Sequence, residues 1–276
     1  MNEHGRETPA YGANLKCYDD YYDKPWWWFL FRYDTQVKKK TCLRLIRQGG
    51  KTLRGQKVLE YGYGSGAVLF SFDRSCEIHG IEISDTAIRA AEGRAARRGY
   101  ENFSFRHPSD EFLLDEGSVD IIIASHVLEH VPSDIELLDE IRRLLKPDGI
   151  AVILVPINEK FADPKHVRHY ATESLINVVR SQGFTPQCVL ENELIFHVVE
   201  RFYALEYNKK WKVIGPLIVA LFNIPTALLP LVVCHAIDGL FRIMGRKPKQ
   251  VGIVVKRADS SSSCSGTVSA TGGCLE

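Results

Sequence analysis

KVLEYGYGSG, residues 57–66, opens on a short apolar run and then places glycine at 62, 64 and 66. The spacing predicts a buried strand over Lys57 to Glu60 that breaks into a tight glycine turn. Ala67 to Phe72 turns apolar again, as the opening of a helix would. Without a Cβ, the backbone can turn sharply and a ligand can press directly against it. The N–H groups of a helix start at that point favour an anionic group such as a carboxylate or phosphate. Glu60 sits at the strand end, two residues before the first glycine. A carboxylate there suits a cationic or polyhydroxylated ligand better than a diphosphate.

GYGSGA also satisfies the loose G-x-G-x-x-G/A pattern of dinucleotide sites. The rest of the chain has to separate the readings. With 276 residues, 45% apolar and 25% charged, it can bury one good core and carry appendages. Lys and Arg total 35 against 34 Asp and Glu, a net charge of +1. A nucleic-acid binder usually shows a basic excess or stripe, so no nucleic-acid partner is expected. The seven cysteines, at 17, 42, 76, 188, 234, 264 and 274, form no C-x-x-C pair and no zinc-spaced cluster. They read as reduced thiols of a cytoplasmic protein. The N-terminus is polar, with no visible secretory signal.

In chain order, residues 1–20 read as a mobile arm and 21–54 as a Trp-rich helical cap. Trp26, Trp27 and Trp28 cannot share one helical face, so at least one meets another element, a ligand or an interface. Thr35 to Ile46 follows as a basic amphipathic helix. After the glycine turn, CEIHGIEIS is a second strand ending at Glu82. Ser84 caps a helix from Asp85 to Arg98, which Gly99 ends. ENFSFRH is a third strand, and VDIIIASHV a fourth with the continuous apolar run of a strand buried on both faces. Ser133 and Glu136 form a capping box for a helix carrying Ile135, Leu138, Ile141 and Leu145 on one side. KPDG closes it before a fifth strand at Ile150 to Val155. Thr172 caps a further helix, FTPQCVLE is a sixth strand and VGIVVKR a seventh. The alternation predicts an α/β, Rossmann-like fold: a seven-stranded, mostly parallel sheet with helices on both faces. Its domain would comprise residues 55–207 and 249–257, interrupted by an apolar helical insertion at 208–248. Residues 258–276 are low-complexity and read as a disordered tail.

With these elements in place the chain resembles the class I S-adenosylmethionine-dependent methyltransferases, of the type found in ubiquinone biosynthesis. VLEYGYGSG matches that family's acidic-x-G-x-G-x-G motif, and GIEIS ends in the acidic residue expected after the second strand. VDIIIASHVLEHV followed by ELLDEIRRLLKPDGIAVILVP matches its fourth strand, helix and fifth strand. The resemblance covers about residues 55–190 and implies S-adenosylmethionine as cofactor. Glu60 would lie near the methionine amino group. The loop Gly62, Tyr63, Gly64 and Gly66 would admit the cofactor to the backbone. Glu82, with Ile83 beside it, would accept from both ribose hydroxyls. Ser125 and His126 would line the reactive end. The family's Gly-Asp-Ala near the third strand is replaced by His107-Pro108-Ser109, so Asp110 is the substitute for the adenine contact. A nicotinamide dehydrogenase leaves Glu60 and HVLEHV unexplained, and a non-catalytic binding protein is a poor match to Glu60, Gly64 and Glu82 together.

A hydroxyl acceptor needs a base. His126 and His130 follow the fourth strand and His166 follows the fifth, where an imidazole near pKa ~6.5 suits the role. Some related quinone O-methyltransferases carry two acidic residues and a histidine in the loop after the fourth strand. Here His126, Glu129 and His130 stand there, and no metal is expected. The acceptor side is built from apolar and aromatic segments, which points to a small lipophilic acceptor: a quinone, polyketide, terpenoid or lipid. Residues 213–241 carry no charge from Val213 to Ile237 and are divided by Pro216, Pro225 and Pro230. Basic flanks and Trp211 make them a candidate hairpin dipping into one membrane leaflet, a peripheral membrane contact. The alternative is a lid over a site for a soluble acceptor, or the interface of a homodimer.

Overall fold

The computed structural model describes residues 19, 22, 23, 28, 29, 31–110, 114–159, 165–192, 221, 224 and 228–258. The elements in chain order are α1 (Tyr33–Gln48), β1 (Lys57–Tyr61), β2 (Glu77–Ile81), α2 (Asp85–Arg98), β3 (Phe103–Arg106), β4 (Val119–Ser125), α3 (Asp134–Leu144), β5 (Leu145–Pro156), α4 (Thr172–Ser181), β6 (Phe184–Asn192), α5 (Leu231–Ile243) and β7 (Gln250–Arg257). The seven strands form one sheet in the order β3-β2-β1-β4-β5-β7-β6. All pair in parallel except β7, which runs antiparallel to both β5 and β6.

The central strands are apolar on both faces because both faces are covered. One core joins Leu59, Ile122 and Ile153 to Leu138 and Ile141 of α3 and Leu175 and Val179 of α4. The other joins Val58, Ile121 and Val152 to Leu45 and Ile46 of α1 and Ala91 and Ala95 of α2. The helix signals act as read at α2. The Ser84 hydroxyl accepts from the Ala87 N–H, and Gly99 ends the helix in the left-handed region at φ 73°.

Three local expectations are corrected. The apolar run after the glycines forms only a three-residue 3₁₀ turn, Leu69–Ser71, and no α-helix. Gly64 and Gly66 both hold positive φ, 49° and 67°, and the Phe70 ring lies back against Gly66, where a Cβ would strike it. The turn stops at Phe72, whose backbone is already extended at φ −72° and ψ 153°. In α3, Ile135 is 43% exposed and Leu137 and Leu144 are buried instead; Leu145 already begins β5, pairing with Val119. At α4, Thr172 is inside the helix and its hydroxyl donates to Glu191 Oε1, while the Ser174 hydroxyl accepts from the Ala171 N–H.

The expected N-terminal arm (1–20) apart from Asp19, Trp26 and Trp27, residues 208–220 of the expected insertion (208–248) and the tail from 259 lie outside the described residues. Trp28 is described: its ring meets Phe29 edge-on at 5.1 Å, and the Arg32 guanidinium lies over it at 4.7 Å. α5, the described end of the insertion, packs Ile237 and Phe241 against Tyr33 and Val37 of α1.

Candidate functional site

The strand order reverses between β1 and β4, and ligands of open α/β sheets bind in the crevice at such a switch point, beyond the carboxyl ends of the strands. Glu60, Glu82, Ser125 and His126 all stand at that edge. The glycine loop crosses it. Gly62, Gly64 and Gly66 hold φ of 60°, 49° and 67°, a region that strains any side-chain-bearing residue. A Cβ at Gly64 would strike the Tyr22 hydroxyl, and one at Gly62 would strike Val127. Tyr63 turns away from the edge. Its ring is buried on Gly80 and 5.3 Å from Phe105, so only its backbone faces the loop.

The two carboxylates differ in how they are satisfied. Glu82 is 6% exposed and accepts at both oxygens: Oε2 from the Gly64 N–H at 2.8 Å, Oε1 from the Ile83 N–H at 2.8 Å and the Ser84 N–H at 3.3 Å. It therefore fastens the glycine loop to the end of β2. Burial pushes its pKa up, and the three backbone N–H groups oppose that shift. Glu60 is 3% exposed, and its Oε2 is buried with no hydrogen-bond partner. Burial, with the nearby Glu82 charge adding to it, pushes the Glu60 carboxyl up to about 8 against the Leu69 N–H that accommodates it. An orphaned buried carboxylate oxygen is a site prepared for a cation.

Asp110 lies on the exposed turn after β3 and accepts from the His107 N–H at 3.1 Å. Ser125 ends β4. His126 follows it with a positive φ of 58°, which aims its ring back across the sheet edge. The ring leads into a buried polar chain that sequence reading missed. Gln250 Oε1 accepts from His126 Nε2 at 2.8 Å, because the Gln250 amide nitrogen donates to Asn192 Oδ1 at 2.8 Å. The Asn192 amide in turn donates to the Thr41 hydroxyl at 2.7 Å. Gln250, Asn192 and Thr41 are at most 1% exposed. No local pattern announces a chain whose members come from α1, β4, β6 and β7. The Gln250→Leu variant strands His126 Nε2 and Asn192 Oδ1 without their partner. It should unfold at lower denaturant, with a loss of about 1–3 kcal/mol for each stranded group; equilibrium urea unfolding measures it, and an unchanged midpoint would show that the chain carries no stability.

On the far side of His126, its Nδ1 lies 3.3 Å from Glu129 Oε1. His130 donates from Nδ1 to the Lys165 carbonyl at 3.1 Å, and its ring meets that of His166 edge-on at 4.7 Å. Burial holds the His130 pKa below the ordinary imidazole range, with the Glu129 charge opposing. His166 Nδ1 faces Glu159, 2.9 Å from Oε1, and His169 Nδ1 is 2.9 Å from Oε2 of the same carboxylate. The three sequence-predicted histidines 126, 130 and 166 thus come together around Glu129. Asp19 and Tyr22, which no motif singled out, also reach this edge. Asp19 Oδ1 accepts from the Ser84 hydroxyl and from the Thr86 N–H, and the Tyr22 hydroxyl stands over Gly64.

A doubly wound sheet whose glycine cradle meets one orphaned and one loop-fastening carboxylate at the switch point defines a class I S-adenosylmethionine-dependent methyltransferase. Those residues fit the cofactor: Glu60 offers a cation an unsatisfied oxygen, and the cradle has no room for a Cβ. The profile of the methyltransferase-domain family matches residues 33–189, and the chain belongs to that family. Its cofactor is S-adenosylmethionine. Among curated relatives, the ubiquinone biosynthesis O-methyltransferase of Paracidovorax citrulli (strain AAC00-1) is 29% identical over 45% of this chain and 53% of its own. The chain spans about half the length, or less, of the first curated relatives it matches. Among solved structures, a sarcosine dimethylglycine methyltransferase from Galdieria sulphuraria, so described provisionally, superposes with a TM-score of 0.59 at 16% identity over 82% of this chain and 87% of the other. Phosphoethanolamine N-methyltransferase 2 of Haemonchus contortus, solved with S-adenosylmethionine, gives 0.54 at 13% identity over 88% and 60%. At these identities the solved structures speak for the fold alone.

Proposed function

We propose that this chain transfers the methyl group of S-adenosylmethionine to a small lipophilic acceptor at a membrane surface. Glu60 pairs with the cofactor's ammonium, and Gly62, Tyr63, Gly64 and Gly66 receive its methionine part through the backbone. Glu82 and Ile83 hold the ribose, Asp110 the adenine, and Ser125 borders the sulfonium. The acceptor enters on the side of His130 and His166. His126 has Gln250 at one ring nitrogen and Glu129 at the other, and with His166 and His130 it is the candidate base that acts on the acceptor.

The observation that carries the lipophilic reading is the outer face of α5. Val232 is 73% exposed, Leu240 59% and Ile243 85%, with Leu228 and Met244 exposed beside them. A contiguous apolar face of this kind marks a protein or membrane contact. Arg246 and Lys247 follow just beyond its end, as the basic rim of a membrane-surface helix would. No helix among the described residues is long and apolar enough to cross a membrane. Relatives named for ubiquinone biosynthesis, 25–32% identical, support a quinone-like acceptor.

Flotation with anionic liposomes tests the membrane part. The full-length protein should rise with the vesicles, and a variant with residues 213–241 replaced by a Gly/Ser linker should remain in the soluble fraction. A full-length protein that is monodisperse without detergent and ignores liposomes would make the segment a lid, and one that dimerises through it would make it an interface. Mass spectrometry of a lipid extract incubated with the enzyme and methyl-labelled cofactor identifies the acceptor.

A further inference from the structure

We propose that Arg168 is a positioning residue for methyl transfer: its guanidinium clamps the segment after β5 to the loop after β4, and so sets the His130 and His166 rings against each other. Residues 126–133 run from the end of β4 to the start of α3, and residues 165–171 precede α4. Neither segment belongs to a helix or a strand. No regular hydrogen-bond ladder fixes one against the other, so the contacts between them have to.

Arg168 supplies most of those contacts. Its Nη1 donates to the Leu128 carbonyl and, at 2.7 Å, to the Val131 carbonyl; its Nη2 donates to the Pro132 carbonyl at 2.7 Å. Two further bonds complete the seam. The Val167 N–H donates to the Glu129 carbonyl at 2.8 Å, and His130 Nδ1 donates to the Lys165 carbonyl at 3.1 Å. Leu128 is fully buried, and a buried carbonyl that loses its donor is costly. Arg168 Nε lies 3.7 Å from Asp134 Oδ2, but that oxygen already accepts from the Tyr170 hydroxyl at 2.6 Å. The guanidinium is therefore spent on the carbonyls of one loop and not on a forked pair with a carboxylate. Three carbonyls are met by a planar fork of fixed N–H donors; an ammonium is a point charge on a flexible stem.

The clamp lies beside the two rings. Arg168 is two residues from His166, and the carbonyls it holds bracket Glu129 and His130. With the seam closed, the His130 and His166 rings meet edge-on at 4.7 Å. Glu159, 2.9 Å from His166 Nδ1, also follows β5. It orients the His166 ring within its own segment and cannot set the distance to the β4 loop. The consequence for the reaction rests on the acceptor-side reading of His130 and His166 given above, whereas the clamp does not.

The test uses the full-length protein with isotope-labelled histidine and arginine, the His130→Gln and His166→Gln variants assigning the ring signals. In the wild type a nuclear Overhauser cross-peak should join the two rings, and the Arg168 Nη protons should give separate signals, as a guanidinium held at both nitrogens does. Arg168→Lys keeps the charge without the fork, and Arg168→Gln removes both. Each should lose the cross-peak while the dissociation constant for S-adenosylmethionine stays at the wild-type value. With the acceptor in hand, turnover in Arg168→Lys should fall about 100-fold, the scale of an ångström misplacement. Arg168→Gly should recover the cross-peak in ethylguanidinium and not in ethylammonium. A cross-peak that persists in folded Arg168→Gln, an Arg168→Lys variant that behaves as wild type, or a freely rotating Arg168 head group in the wild type would each overturn the clamp. Unchanged turnover in a variant that has lost the cross-peak would overturn its part in the reaction. The wild-type spectra need no variant, so a variant that fails to fold does not remove the test. Cofactor binding is measured on the same samples: binding without the ring contact sinks this proposal alone, and the ring contact without binding sinks the methyltransferase reading alone.

Discussion

Replacing Glu82 with alanine should lower the affinity for S-adenosylmethionine at least about tenfold, a change of ~1.4 kcal/mol. Two losses combine. The bound cofactor loses a planar pair of acceptors for its ribose hydroxyls, and a hydrogen bond to a charged group contributes roughly 1.5–3 kcal/mol. The empty protein loses the acceptor for the Gly64, Ile83 and Ser84 N–H groups, so the cradle is no longer fastened to the end of β2. The Glu82→Gln variant keeps one carbonyl acceptor and should fall between wild type and alanine. Calorimetry on variants shown by their thermal transitions to be folded decides the matter. A dissociation constant equal to that of wild type in folded Glu82→Ala would remove Glu82 from the cofactor site.

The pH profile of cofactor binding should be bell-shaped, with its maximum near pH 8. Glu60 titrates at about 8 in the free protein because of its burial, so at pH 6 it is protonated. The cofactor's α-amino group titrates in a similar range, about 7.7–8.0. The bound pair needs one proton between carboxylate and ammonium. Below pH 8 the separated partners carry two, and binding releases one; affinity then rises about tenfold per pH unit toward 8. Above pH 8 the partners carry none, binding takes one up, and affinity falls. Calorimetry in buffers of different ionisation enthalpy counts that proton directly. Glu60→Gln should abolish the proton release at pH 6–7. If the variant still releases it, another group faces the ammonium. The free protein follows the same linkage. The raised Glu60 pKa contributes stability that is full below the ordinary carboxyl range and is lost as pH rises through about 8.

The strands and their order of appearance were legible because each central strand is an unbroken apolar run, and only burial on both faces calls for that. Glu60 and Glu82 were legible because position along a strand fixes which end of the sheet a residue reaches. The 3₁₀ turn after the cradle was not. Its residues are apolar, as a helix opening would be, but the chain turns extended at Phe72 after a single turn. Ile135 was placed on the wrong face of α3: the buried stripe runs through Leu137, Leu138, Ile141 and Leu144, and Ile135, in the first turn, falls outside it. The polar chain through Thr41, Asn192 and Gln250 and the approach of His166 to Glu129 depend on contacts between distant segments. A single sequence carries no signal for them, since a buried glutamine and an exposed one are written alike.

Asn192 closes β6 and Gln250 opens β7, and the two are paired across the ladder. Everything from residue 193 to 249 therefore leaves and re-enters the scaffold through a single neck. Loop closure grows only logarithmically with length, about 0.6 kcal/mol for each doubling. The scaffold is thus nearly indifferent to how long or how greasy that excursion is, and descendants of this chain could trade it for another without renegotiating the sheet. The neck itself is less free to vary, since the two residues that bolt it shut are the same two that steady His126.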